Sequence, residues 1–261
     1  MRPHVAAVYA YARVADDLAD EGDAPAPVRR SRLEAWRRRL HEAAAGETPH
    51  AAGDGHDFVF TALSHTIRTL DLPLSLFDDL VSAFAQDITT DRYASWSELL
   101  DYCRRSANPV GRLVLRIAGY RDEALDRSSD ALCTALQLTN FWQDLGRDWR
   151  AGRLYVPREV LDAHGAMETD LVRQELTPSW MNALAACAAF TRDRFRLGRA
   201  VCDGVRGRLR LELRLTWLGG QRVLDLVESR RNTLLCDRPT LGTRDVPLLL
   251  WQAARWADRA A

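Results

Sequence analysis

Apolar residues return every three or four positions along almost the whole of this chain, and nowhere do β-branched residues alternate long enough to make a strand. Ala, Leu, Arg and Glu, residues that favour helix, dominate the periodic stretches. The pattern restricts the chain to an all-α architecture. It predicts helices over 3–20, 26–45, 57–70, 74–88, 96–118, 123–150, 168–175, 178–203, 207–231 and 243–259. The breaks between them carry turn residues: Gly22 to Pro27, the Gly- and Pro-containing stretch Gly46 to Gly55, and Gly152 to Pro157. Pro73 and Pro178 stand where a first helical turn accepts a proline. Gly219-Gly220 predicts a loosened or kinked helix. No linker, low-complexity tract or repeat divides the 261 residues, so a single domain over 1–261 is expected.

The charge balance narrows the function classes. Lys+Arg and Asp+Glu number 36 each, so the chain lacks the basic excess of a nucleic-acid binder. The five cysteines, Cys103, Cys133, Cys187, Cys202 and Cys236, form no CxxC pair and no zinc-like spacing, and read as reduced thiols of a cytoplasmic protein. No secretory signal pattern opens the chain, and no apolar run approaches the roughly 20 residues that span a bilayer. Contact with a membrane surface stays open. The six histidines make no ligand pattern.

Two segments carry chemistry. In Tyr9-Ala-Tyr-Ala-Arg13-Val-Ala-Asp16-Asp17-Leu-Ala-Asp20, the residues Tyr9, Arg13, Asp16 and Asp20 fall within an arc of about 60° on a helix, with Asp17 at the flank. In Gln137-Leu-Thr-Asn140-Phe141-Trp142-Gln143-Asp144-Leu-Gly-Arg147-Asp148, the residues Gln137, Asn140, Asp144 and Asp148 fall within about 80°. Each stripe sets two carboxylates one turn apart near a helix C-terminus, where like charges repel and the helix dipole disfavours them. Such a pair usually decorates a solvated face. Two pairs, each with polar support on its own stripe, point instead to a cation. Oxygen ligands without His or Cys select Mg²⁺, which keeps waters and shares substrate phosphates. Phe141 shares the second stripe and either offers its ring to a cation or packs in the core. Trp142 projects away from the stripe and is expected in the core.

Around these residues the chain resembles the squalene/phytoene synthase family, most strongly over Tyr9–Glu21 and Gln137–Pro157. The resemblance implies a helical bundle with a central active-site cavity, two Asp-rich motifs, and Mg²⁺ bridging a prenyl diphosphate. It assigns metal binding to Asp16, Asp20, Asp144 and Asp148. It places Tyr9, Arg13, Gln137 and Asn140 at the substrate, with Arg104 or Arg105 and Asn108 from the segment Asp101–Gly111. Arg104 and Arg105 read equally as a surface basic pair. Gln86-Asp87…Asp91-Arg92-Tyr93 resembles a further segment near the cavity. Gly152–Pro157 matches a flap, and Arg238, ahead of Pro239, is set against a late diphosphate-contacting arginine. The family has an additional stretch ahead of its first Asp-rich helix, whereas this chain starts at Met1-Arg-Pro-His4, so a domain short at its N-terminus is expected.

Within the family the likeness is to the bacterial hydroxysqualene synthase branch. Synthases that join two prenyl diphosphates usually carry Arg directly before the first Asp of the second motif, where this chain has Gln143. An amide there suits holding a water and ending the reaction as an alcohol. The implied activity is ionisation of presqualene diphosphate and capture by water. The alternatives are head-to-head condensation to presqualene diphosphate, phytoene or dehydrosqualene, or a non-catalytic helical subunit. A class I terpene cyclase would carry an Asn/Ser/Glu metal triad that the second stripe lacks. No protein partner is implied.

Overall fold

The computed structural model describes residues 1–20, 24–46 and 55–256. The expected all-α architecture is what the chain adopts: among the described residues there is no β-strand, only one isolated parallel bridge between Arg92 and Leu154. Contacts cluster into two compact units, Met1–Thr90 with Arg104–Asp122 and Asp91–Cys103 with Glu123–Ala261.

The first unit is built from α1 (Arg2–Asp20), α2 (Ala26–Ala45), α3 (Asp57–Leu70), α4 (Leu74–Asp87) and later chain. α1 buries Val8, Tyr11, Ala15 and Ala19, spaced three and four apart. Tyr11 stacks on Trp36 at 5.6 Å and meets Phe60 and Phe77 edge-on. Full burial of rings and of Leu33, Leu40, Leu63 and Leu80 contributes on the order of 2 kcal/mol per side chain. With this seam inward, Tyr9 and Arg13 are left exposed, Asp16 and Asp17 half-buried, and Asp20 exposed.

The expected helix over 96–118 is two helices, α5 (Trp96–Ser106) and α6 (Asn108–Ile117). Pro109, second in α6, has no N–H to give and clashes with a carbonyl one turn back, so the helix restarts there.

The second unit is organised by α7 (Glu123–Gln143), followed by α8 (Leu145–Arg150), α9 (Arg158–His164), α10 (Glu168–Val172), α11 (Pro178–Gly198), α12 (Val201–Gly204), α13 (Gly207–Ser229) and α14 (Asp245–Ala254). The helix expected over 123–150 is interrupted at Asp144, whose ψ of 10° leaves the helical well. The hydrogen-bond register survives, because Asp144 N–H donates to Asn140 at 2.9 Å and Asp148 N–H to Asp144 at 2.8 Å. α9 was not expected; seven residues are too few for a period to show. The expected helix 178–203 splits after Gly198, where the chain passes so close to α7 that an added Cβ would lie 2.6 Å from Leu132 N. α13 runs unbroken through Gly219-Gly220 rather than interrupted there. Gly220 serves packing instead: a Cβ would lie 2.8 Å from the Phe195 ring. Trp142 is buried, its indole N–H donating to Thr191 Oγ1 at 2.9 Å. The last expected residues of the 243–259 helix, 257–259, and most of the 46–55 loop lie outside the described residues.

The sequence contains no lysine, so arginine supplies all 36 of its Lys+Arg total. Guanidinium groups fork onto carboxylates, as Arg92 does on Glu168, or lie over rings, as Arg39 does over Phe60 at 4.2 Å and Arg199 over Trp256 at 4.1 Å.

Candidate diphosphate and metal residues

The first stripe lies on α1. Arg13 pairs with Asp16 at 3.2 Å and with Asp17 at 2.6 Å. These are exposed i,i+3 and i,i+4 pairs, worth a few tenths of a kcal/mol each, about 0.3–0.5. Their value is positional: the guanidinium holds two neighbouring carboxylates on the face that Tyr9 also occupies. Asp20 follows one turn after Asp16 at the end of the helix.

The second stripe lies where α7 passes into α8. Gln137 is half-buried and Asn140 exposed, whereas Gln143 and Asp144 are buried at 8% and 7% exposure. Asp148 is partly buried. Burial and the neighbouring Asp144 charge raise its pKa to about 6, against the pull of Arg153, Arg147 and Arg238. A carboxyl whose ionisation is resisted by burial and by a second carboxylate beside it gains from a shared cation.

A strap of chain from Leu234 to Pro239 seats on this stripe. Arg238 forks onto Asp144, Nε on Oδ1 and Nη2 on Oδ2 at 3.1 Å, and Nη2 also reaches Gln143 Oε1 at 3.3 Å. The fork to Asp144 raises the guanidinium pKa further. Gln143 Nε2 donates to the Pro239 carbonyl at 2.5 Å, and Arg150 donates to the Leu235 carbonyl at 2.9 Å. Gly146 makes the approach possible, since a Cβ there would lie 2.6 Å from Leu235 Cα. The Gln143 amide, expected to hold a water, is therefore engaged at both ends by the strap. Sequence reasoning noted Arg238 but not its partner, which is 94 residues away.

Phe141 is buried and stacks on Tyr155 at 3.8 Å with planes 6° apart, so one ring face is covered. Tyr102 adds a third ring at 6.2 Å. Of the two readings left open for Phe141, core packing describes that contact. Tyr155 belongs to the expected flap, which runs beside 91–94: Leu154 N–H donates to Asp91 at 2.9 Å and Arg158 N–H to Tyr93 at 2.9 Å. Arg92 also donates to the Gly152 carbonyl at 2.7 Å. Arg104 pairs with Asp79 at 3.6 Å, Arg105 donates to Ser82 at 3.0 Å and to Gln86, and Asn108 is buried at the start of α6. Beside the second stripe lies an open groove of about 440 Å³, lined by Leu136, Leu215, Val223 and Leu241 together with Asn140 and Gln143.

Among the described residues no three His, Cys, Asp or Glu side chains converge as a ready-made metal cage. The stripes fit Mg²⁺ in another way. Each offers hard oxygen donors one turn apart, and Mg²⁺ binds through one or two carboxylates while keeping waters and phosphate oxygens.

The model of the squalene/phytoene synthase family matches residues 1–252. The chain belongs to this family. Curated relatives include the hydroxysqualene synthases of Rhodopseudomonas palustris, 33% identical over 88% of this chain and 75% of theirs, and of Zymomonas mobilis, 38% identical over 74% of this chain and 62% of theirs. A solved squalene synthase from Alicyclobacillus acidocaldarius superposes with a TM-score of 0.80 at 39% identity, covering 88% of this chain and 83% of that one. A dehydrosqualene synthase shares the fold, with a TM-score of 0.84 at 22% identity over 97% of this chain and 86% of its own. Membership makes this chain an isoprenoid synthase, in a family whose substrates are prenyl diphosphates and whose usual metal is Mg²⁺. No helix among the described residues is long and apolar enough to cross a membrane.

Proposed function

We propose that this squalene/phytoene synthase family member ionises presqualene diphosphate and lets water capture the cation, giving hydroxysqualene, pyrophosphate and a proton. The observation that carries the reading is the similarity to hydroxysqualene synthases at 31–38% identity. Asp16, Asp20, Asp144 and Asp148 hold Mg²⁺. When bound, Mg²⁺ neutralises the diphosphate and makes it a better leaving group. Arg13 holds Asp16 and Asp17 in place through its two ion pairs. Tyr9, Arg104, Asn108, Gln137 and Asn140 contact substrate. The apolar wall of the groove beside Asn140 suits a prenyl tail. Gln143 acts by fixing Arg238 against Asp144. Phe141 stacks on Tyr155 and offers the ring as a candidate contact for the substrate. One domain carries the whole activity.

The test is product analysis. Presqualene diphosphate with Mg²⁺ and no reductant should yield hydroxysqualene and pyrophosphate. A hydrocarbon or no turnover there, with turnover of farnesyl diphosphate, would replace this reading by head-to-head condensation. That second reading is favoured by one observation: the phytoene synthase of Mycobacterium tuberculosis is 34% identical over 63% of this chain.

A further inference from the structure

Asp144 belongs to the proposed metal stripe and already carries a cation of its own chain. The two partners of this fork are unequally free. The Asp144 side chain is 9% exposed, so it has nowhere to go, whereas the Arg238 side chain is 44% exposed and can turn into water. The backbone around the arginine is independently anchored: Gln143 holds the Pro239 carbonyl, Arg150 the Leu235 carbonyl, and the gap at Gly146 receives the Leu235 backbone. Leu234 and Leu235 are themselves buried. The strap can therefore stay docked while its guanidinium swings.

We propose that Arg238 is a displaceable counter-cation for Asp144, positioned by Gln143, that occupies the carboxylate until a divalent ion takes it. The proposal rests on the metal reading given above. A buried carboxylate left without a partner is destabilising. A fork that neutralises it keeps the empty stripe stable, and its rupture is set against every metal-binding event. Two consequences follow from the geometry. Metal affinity at the second stripe is held below what its carboxylates alone would give. The guanidinium is released at the moment the ion arrives, so a free cation is available beside the stripe only when it is loaded. Gln143 is a positioning residue in this scheme: its Oε1 accepts from Arg238 Nη2 while its Nε2 holds the strap, so one amide fixes both the arginine and its anchor.

The test is the affinity of the full chain for Mn²⁺, followed by electron paramagnetic resonance without diphosphate and checked with Mg²⁺ calorimetry. Arg238→Gln should bind Mn²⁺ about tenfold more tightly, the factor expected for removing one competing charge-assisted fork. Gln143→Leu keeps the arginine charge but loosens its hold, and should tighten binding about threefold. Field effects of the arginine charge alone would leave Gln143→Leu at the wild-type value, and that result overturns the proposal. Unchanged or weaker binding by folded Arg238→Gln overturns it as well. Asp144→Asn separates the two levels of argument. Loss of a Mn²⁺ site in that variant upholds the metal reading whichever way the arginine variant falls, and full retention removes both.

Discussion

At the residue scale, the second stripe balances two carboxyls against one arginine. Asp148 titrates near pH 6 in the fold, above its ordinary value of 3.8, because burial and the Asp144 charge resist its ionisation. The sign follows from proton linkage. Between about pH 4 and pH 6 the folded protein holds a proton that the unfolded chain has released, so stability falls as pH rises through that window and stays low above it. Asp148→Asn removes the ionisation. In EDTA, melting temperatures of wild type and variant should agree at pH 4 and diverge by a few degrees by pH 7.5, with the variant higher. Parallel curves across that range would contradict the assignment. Mg²⁺ should raise the wild-type curve at pH 7.5 and leave Asp148→Asn nearly unmoved. The carboxylates themselves were legible in the sequence because helical spacing brings i and i+4 together. Their counter-ion was not, because no local periodicity links Asp144 to a residue 94 positions later.

At the element scale, the strap on α8 depends on one missing methyl group. Gly146→Ala would drive a Cβ into the Leu235 backbone, where no side chain can turn aside. Overpacking of that kind costs about 1–3 kcal/mol. Urea denaturation should show a loss in that range, and Mn²⁺ binding should rise with it as Arg238 moves off Asp144. A silent Gly146→Ala would mean that the strap yields freely. Helices read well from the sequence where a period ran for several turns, as over α1, α3, α4 and α13. The misses have local causes. Pro109 divides a stretch whose apolar period is continuous across it, and Asp144 breaks the helix while keeping its hydrogen-bond register. α9 is too short to show a period, and Gly219-Gly220 looks like a break until its tertiary neighbours are known.

At the scale of the whole molecule, the proposed chemistry needs both acidic stripes. Asp16→Ala and Asp144→Ala should each reduce turnover by at least about 10³-fold, roughly 4 kcal/mol of lost transition-state stabilisation. Far-ultraviolet circular dichroism should stay helical in both. Near-normal turnover in either variant would remove that stripe from the reaction. The all-α class and the placement of the two acidic stripes were readable because helical spacing governs both, and the second stripe keeps that spacing across the break at Asp144. Which branch of the family's chemistry the chain performs was not, since it turns on what surrounds a cation and not on what binds the phosphate. The exclusive use of arginine has a practical outcome of its own. With no lysine in the sequence, acylating reagents, aldehyde fixatives and amine-coupled surfaces find no side-chain primary amine, only the chain terminus.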